Sequence, residues 1–226
     1  MARVDSSRPA EQAERQLIQE ILNGVFPADS ALPPERALAG MLGVTRPTLR
    51  EVLQRISRAG WIEIHHGKPT RVRDILLEGT LPLLSEAATY QPPVPELTGS
   101  LLEIRLLVAP TYTRQAVEHK PEAVLLLTQS FAELADEKTE TALADWHFHH
   151  GLAILSGNPL SGLILNSLEH FWSAALESIY EKPAERQKLR TAIRMVGKAA
   201  RAQEPEVAEV LIRRILQETF TDWQQT

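Results

Sequence analysis

Residues 43–72 read GVTRPTLREVLQRISRAGWIEIHHGKPTRV. Thr45 is a residue type that caps a helix N-terminus through its hydroxyl. Pro47 suits the first turn, where a backbone N–H has no intrahelical partner to lose. Leu49, Val52, Leu53 and Ile56 then recur at i, i+3, i+4 and i+7, the spacing of one buried helical face. Gly60 stops the helix. The period then changes: Trp61-Ile62-Glu63-Ile64-His65 reads as a strand, Thr70-Arg71-Val72 as its partner and His66-Gly67-Lys68-Pro69 as the turn between them. Upstream, residues 1–9 read as a loose tail. A helix from Ala10 carries Ala13, Leu17 and Ile21 on one stripe, with Leu22 beside it, and ends at Asn23-Gly24. Pro33-Pro34 opens a second helix over ERALAGML, closed by Gly43. Three helices, the last two joined by a tight glycine-containing turn, and then a hairpin make a winged helix-turn-helix.

Beyond Asp74 the strand pattern vanishes. Breaks at Gln91-Pro92-Pro93, Lys120-Pro121, Ser156-Gly157-Asn158-Pro159, Lys182-Pro183 and Glu204-Pro205 partition about seven helices, near 76–90, 94–118, 121–136, 140–155, 159–181, 183–202 and 204–224. The fold class is therefore mostly α, with two domains. Residues 1–75 form a winged helix-turn-helix domain, and residues 76–226 an all-helical domain. Charge follows the same division. The net charge of −5 over 226 residues is made of +3 over residues 1–73 and −8 over residues 74–226. There is no cysteine, which excludes disulfides and thiolate metal sites. No apolar run approaches the roughly 18 residues of a membrane span, and the N-terminus lacks the apolar core of a signal peptide. The expectation is a soluble, cytoplasmic protein with no membrane partner.

The basic front end has a chemical reading. Arg46 and Arg50 lie four residues apart, on the helix face opposite the core stripe, with Thr48 in the same first turn. The start of such a helix enters the DNA major groove. Arginine there bonds guanine O6 and N7 in bidentate fashion, and threonine meets a phosphate or a thymine methyl. Arg36 is placed to hold backbone phosphate, and the tip His66-Gly67-Lys68 is small and polar enough to enter a minor groove. Arg55 and Arg58, further along, read as surface or backbone contacts. A lone arginine usually does no more than solvate a helix; the set Arg36, Thr45, Arg46, Thr48, Arg50, His66 and Lys68 on one winged helix points to double-stranded DNA. One winged helix reads only a few base pairs, so a homodimer on a near-palindromic operator is expected.

The segment LPPERALAGMLGVTRPTLREVLQRISRAGWIEIHHGKPTRV resembles the DNA-binding domain of the GntR family of bacterial regulators, and its HGKPT wing is similar to the FadR branch of that family. The resemblance implies that Arg36, Thr45, Arg46, Thr48, Arg50, His66, Gly67 and Lys68 match operator-contacting positions. DWHFHHGLAILSGNPLSGLILN resembles the helical effector domain of the same branch. In many of its members one Asp and three His hold a metal that anchors a small organic acid. Asp145 and His149 match two of those positions, but Ile193 and Ile215 stand at the other two, and no histidine follows His170. Two ligands are too few, so no cofactor is expected. Asp145 and His149 read as a buried polar pair, with His147 and His150 incidental.

Arg105 interrupts the apolar helix LLEIRLLVAP on the same face as Leu101 and Val108, and a buried charge needs a partner. That partner is either an internal carboxylate or a ligand's polar head. The resemblance to the metal-free members implies a long-chain acyl-CoA effector with Leu101, Arg105, Thr219 and Trp223 around it. Leu216 replaces a small glycine there and Ile179 a tyrosine, which implies a smaller or altered pocket. The alternatives are a regulator answering a small carboxylic acid, with metal help, and an orphan regulator. No G-x-S-x-G, H-E-x-x-H or phosphate loop is present, and an enzyme is not expected.

Overall fold

The computed structural model describes residues 7–65, 67–131, 133 and 135–225. Helix α1 (Ser7–Leu22) starts three residues before the expected Ala10; residues 1–6 of the expected tail lie outside the described residues. Helix α2 (Glu35–Met41) follows Pro34, and Gly43 makes the turn to α3 (Arg46–Ala59) at a φ of 66°. Thr45 caps α3, its Oγ1 accepting from the Thr48 N–H at 3.4 Å. Gly60 ends it at a φ of 105°, its N–H donating to the Ile56 and Ser57 carbonyls. Leu49, Val52, Leu53 and Ile56 are all buried, as their spacing requires.

Strands β1 (Ile62–Glu63) and β2 (Arg71–Val72) are antiparallel, with Ile62 opposite Val72, and are shorter than the sequence pattern suggests. The stretch after α1 runs beside β2: Asp29 N–H donates to the Val72 carbonyl, Leu32 N–H to Thr70, and Val72 N–H to Ser30. Arg71 ties this layer together through Asp29, Glu63 and Glu78 at 2.6–2.9 Å. Its hydrogen bonds hold the Glu63 and Glu78 carboxyls below their usual range.

The helix expected near 76–90 is two. Helix α4 (Ile75–Glu78) ends at Gly79, and Thr80 caps α5 (Leu81–Ala87), whose first turn holds Pro82. Leu83 and Ala87 enter the core of the winged helix, the Trp61 indole donates to Glu86 Oε1 at 3.4 Å, and Tyr90 meets the Trp61 ring edge-on. The chain accordingly divides into its two compact units between Gln91 and Pro92, while the change in sequence character at Asp74 marks the end of the hairpin.

The second unit holds α6 (Pro95–His119), α7 (Pro121–Gln129), α8 (Lys138–Leu155), α9 (Pro159–Asn166), α10 (Glu169–Tyr180), α11 (Pro183–Ala202) and α12 (Pro205–Gln224). Proline opens the first turn of five of them, where its missing N–H is harmless. Helix α6 lies along α12 and also meets α8; α8 packs on α10, and α11 on α7 and α12. The expected helix over 159–181 breaks at Ser167-Leu168, and that over 121–136 stops at Gln129. Among the described residues no helix is long and apolar enough to cross a membrane.

Candidate functional site

The first turn of α3 projects cations into solvent. Arg46 and Arg50 are exposed, as is Arg36 on α2. Arg50 Nε donates to both Glu35 carboxylate oxygens, at 2.9 and 3.2 Å. An exposed pair of this kind is worth about 0–1 kcal/mol, so a competing contact would displace it at little cost. The Thr48 hydroxyl sits 2.9 Å from that of Thr45, so both threonines are engaged in shaping the helix start. Gly67 holds a φ of 72° at the wing tip, beside exposed Lys68; His66 lies outside the described residues. Arg55 is half-buried against Glu14 of α1 at 2.9 Å, and Arg58 Nε donates to the Gln54 carbonyl. Arg55 ties α3 to α1, and Arg58 serves α3 itself.

In the helical unit Arg105 is 2% exposed and Asp145 fully buried. Arg105 Nη2 donates to both oxygens of Asp145, at 2.9 and 2.7 Å. Of the two partners the sequence allows, the internal carboxylate is the one Arg105 holds. The guanidinium lies 4.6 Å from the Trp172 ring, a cation–π contact, while the Trp172 indole donates to Asp145 Oδ2 at 3.2 Å. His149 Nε2 is 3.3 Å from Asp145 Oδ1, and its Nδ1 is 2.8 Å from the Tyr112 hydroxyl. Burial pushes the Asp145 carboxyl up, but Arg105 and His149 outweigh it and hold it below its usual range. Burial lowers His149 more than Asp145 raises it, and burial pushes the Tyr112 and Tyr180 hydroxyls well up. The cluster is thus an Arg⁺–Asp⁻ pair with neutral aromatic partners. Arg105 Nε and Thr113 Oγ1 are buried with no hydrogen-bond partner among the described residues.

Thr219 and Trp223 belong to a different cluster. Thr219 Oγ1 donates to Glu185 Oε2 at 2.8 Å, Glu185 is 4% exposed, and Lys188 bridges it to Asp222. Trp223 lies against Gly99 of α6, where an added Cβ would sit 3.3 Å from its Nε1. Leu101, Leu216 and Ile179 are buried. Arg105 therefore takes its partners from α8 and α10, and Thr219 and Trp223 theirs from α11 and α6; no hydrogen bond among the described residues joins the two groups. Sequence reasoning misses Tyr112, Trp172, Tyr180 and Glu185. Their one signal is a polar tip on an otherwise apolar helix face. His150 stacks on Trp146 and reaches Asn166, while His147 is exposed. Among the described residues no group of three or more His, Asp or Glu side chains is arranged to hold a metal.

A winged helix-turn-helix with a cationic recognition-helix start, joined to an all-helical domain, defines a DNA-binding transcriptional regulator. Residues 9–72 match the profile of bacterial regulatory proteins of the gntR family, and residues 77–226 match the FadR C-terminal domain. The chain belongs to the gntR family, with a FadR-type C-terminal domain. It is 41% identical over 187 residues to the fatty acid metabolism regulator protein of Pectobacterium atrosepticum, covering 81% of this chain and 77% of that one. It is 34% identical to the protein of the same description from Klebsiella pneumoniae, covering 97% and 92%. Among solved structures, Lar, which controls expression of the Listeria monocytogenes agr system, shares the fold with a TM-score of 0.68 at 16% identity, over 96% of each chain. Members of the family are transcription regulators, not enzymes.

Proposed function

We propose that this regulator controls fatty-acid metabolism from the cytoplasm, as a homodimer on a near-palindromic operator, and that a long-chain acyl-CoA bound in the helical unit releases it. The observation that carries this reading is the likeness, over most of the chain, to proteins described as fatty acid metabolism regulators. Three structural features support it. Arg46 and Arg50 on the recognition helix, Gly67 and Lys68 on the wing, and Arg36 on α2 are all exposed where a winged helix meets DNA. Buried Arg105 keeps one N–H donor without a partner among the described residues, available to the polar head of a ligand whose tail lies among Leu101, Leu216 and their neighbours. Leu76 and Leu77, 70% and 83% exposed on α4, give an apolar surface for a second copy.

The test is an operator-binding titration with acyl-CoAs of increasing length and free CoA as control, run beside sedimentation. Long acyl-CoAs are expected to weaken operator binding, free CoA to leave it unchanged, and the protein to sediment as a dimer. If no acyl-CoA shifts operator affinity and calorimetry detects no binding, the effector reading fails.

A further inference from the structure

Helix α11 carries a second set of cations that neither the DNA face nor the acyl site uses. Arg190, Arg194, Lys198 and Arg201 recur at intervals of four, four and three residues, which places them on one side of the helix. They face a cavity of about 430 Å³ between α7 and α11. Its apolar wall is supplied by Leu125, Phe131 and Ile193, and no carboxylate is among its described lining residues. Gly197 lets the two helices close there: a Cβ would fall 2.5 Å from Thr128 Oγ1. Arg190, at one end, is held by the Ala135 carbonyl and by Asp136. Arg194, Lys198 and Arg201 have no hydrogen-bond or ion-pair partner among the described residues.

Four like charges on one helix face repel one another, and in an otherwise acidic domain they are not needed for solubility. A concave site of this volume, with a few convergent polar groups over an apolar wall, has the character of a small-molecule pocket. A flat basic strip would instead suit a nucleic-acid backbone. Guanidinium forks match phosphate oxygens two at a time, and lysine adds a mobile point charge. We infer that the α7–α11 cavity binds a phosphate-bearing small molecule with at least two negative charges, whose flat or apolar part rests on Leu125, Phe131 and Ile193. The charged groups would engage Arg194, Lys198 and Arg201. This site is separate from the acyl-CoA reading and does not depend on it.

The experiment is calorimetry on the full chain with ADP and with pyrophosphate, for the native protein and for Arg194→Ala/Lys198→Ala. Both substituted side chains are exposed, and folding is checked by thermal melting. Saturable binding of ADP is expected, tighter than that of pyrophosphate because only ADP reaches the apolar wall. The double variant should lose about tenfold or more in affinity, the scale of one or two charge-assisted hydrogen bonds, while operator and acyl-CoA binding stay unchanged. Absence of saturable binding by either probe overturns the inference, as does equal binding by the variant. So does a variant that keeps ADP affinity but loses non-specific DNA binding, which would make the strip a nucleic-acid contact.

Discussion

Arg105 and Asp145 are each costly to bury and tolerable only together. Asp145→Ala leaves a guanidinium uncompensated among Trp172, His149 and Tyr112, and should destabilise the helical unit by about 3–5 kcal/mol in chemical denaturation. Replacing both partners, as Arg105→Met/Asp145→Leu, should cost clearly less than the single change. If Asp145→Ala is neutral, the pair is not the anchor its burial implies. His149 adds a pH dependence with a defined sign. Burial holds its folded value below the ordinary 6.5, so the unfolded chain protonates first as pH falls. The contribution is complete above 6.5 and shrinks as pH drops towards the folded value. His149→Gln should flatten the stability-against-pH curve in that window, read by denaturant midpoints. Arg46 obeys another logic: it is exposed, so Arg46→Ala should leave melting unchanged while specific operator binding weakens by about 1–3 kcal/mol, the value of a bidentate base contact. Lys68→Ala should instead weaken all sequences alike and flatten the salt dependence. Operator binding by Arg46→Ala at native strength would remove the arginine from the groove. The difference between these two arginines was partly legible. Spacing alone puts Arg46 on the outer face of α3, and an arginine inside LLEIRLLVAP announces a buried charge. The identity of its carboxylate, 40 residues away on another helix, is set by tertiary packing and leaves no local trace.

At the scale of elements, the winged helix was readable because each of its boundaries has a chemical cause. Thr45 supplies a cap, Pro47 tolerates a lost donor, and Gly60 takes a left-handed φ. Gly60→Ala should therefore cost about 1–2 kcal/mol through backbone strain alone, since its Cβ would only reach ordinary contact with Leu83 at 3.4 Å. A melting temperature equal to that of the native chain would contradict this. The helical unit was readable where proline marks an N-terminus, at α6, α7, α9, α11 and α12. It was less readable where helices end without Gly or Pro. Nothing in Asn166-Ser167-Leu168 is forbidden in a helix, yet α9 stops there and α10 begins, and α7 stops at Gln129 before equally permissive residues. The packing of α5 is a similar case. Its apolar residues say that it is buried, but not that Leu83 and Ala87 complete the winged-helix core.

For the whole molecule, the +3 and −8 segments set up two separate chemistries on one chain, and the proposed effector response requires that they be coupled. Whatever factor acyl-CoA imposes on operator affinity, operator DNA imposes on acyl-CoA affinity, because linkage is reciprocal. Leu216 offers a way to test where the tail goes. It is 6% exposed on α12, the helix that lies along α6. Each methylene buried contributes about 0.8 kcal/mol, or about fourfold in affinity, so binding should rise steeply with chain length and level off when the tail meets a wall. If Leu216 is that wall, Leu216→Ala moves the plateau to acyl chains longer by a few methylenes, although the deletion itself costs about 2–5 kcal/mol of stability. The measurement is calorimetric affinity against acyl length for both proteins, at a temperature where both are folded. The longest acyl-CoAs should gain on Leu216→Ala while the shortest do not. A parallel loss at every length would mean that the variant is merely less stable. An unchanged plateau would place the tail away from α12 and leave Thr219 and Trp223 as parts of the packing of α12 on α11 and α6 alone.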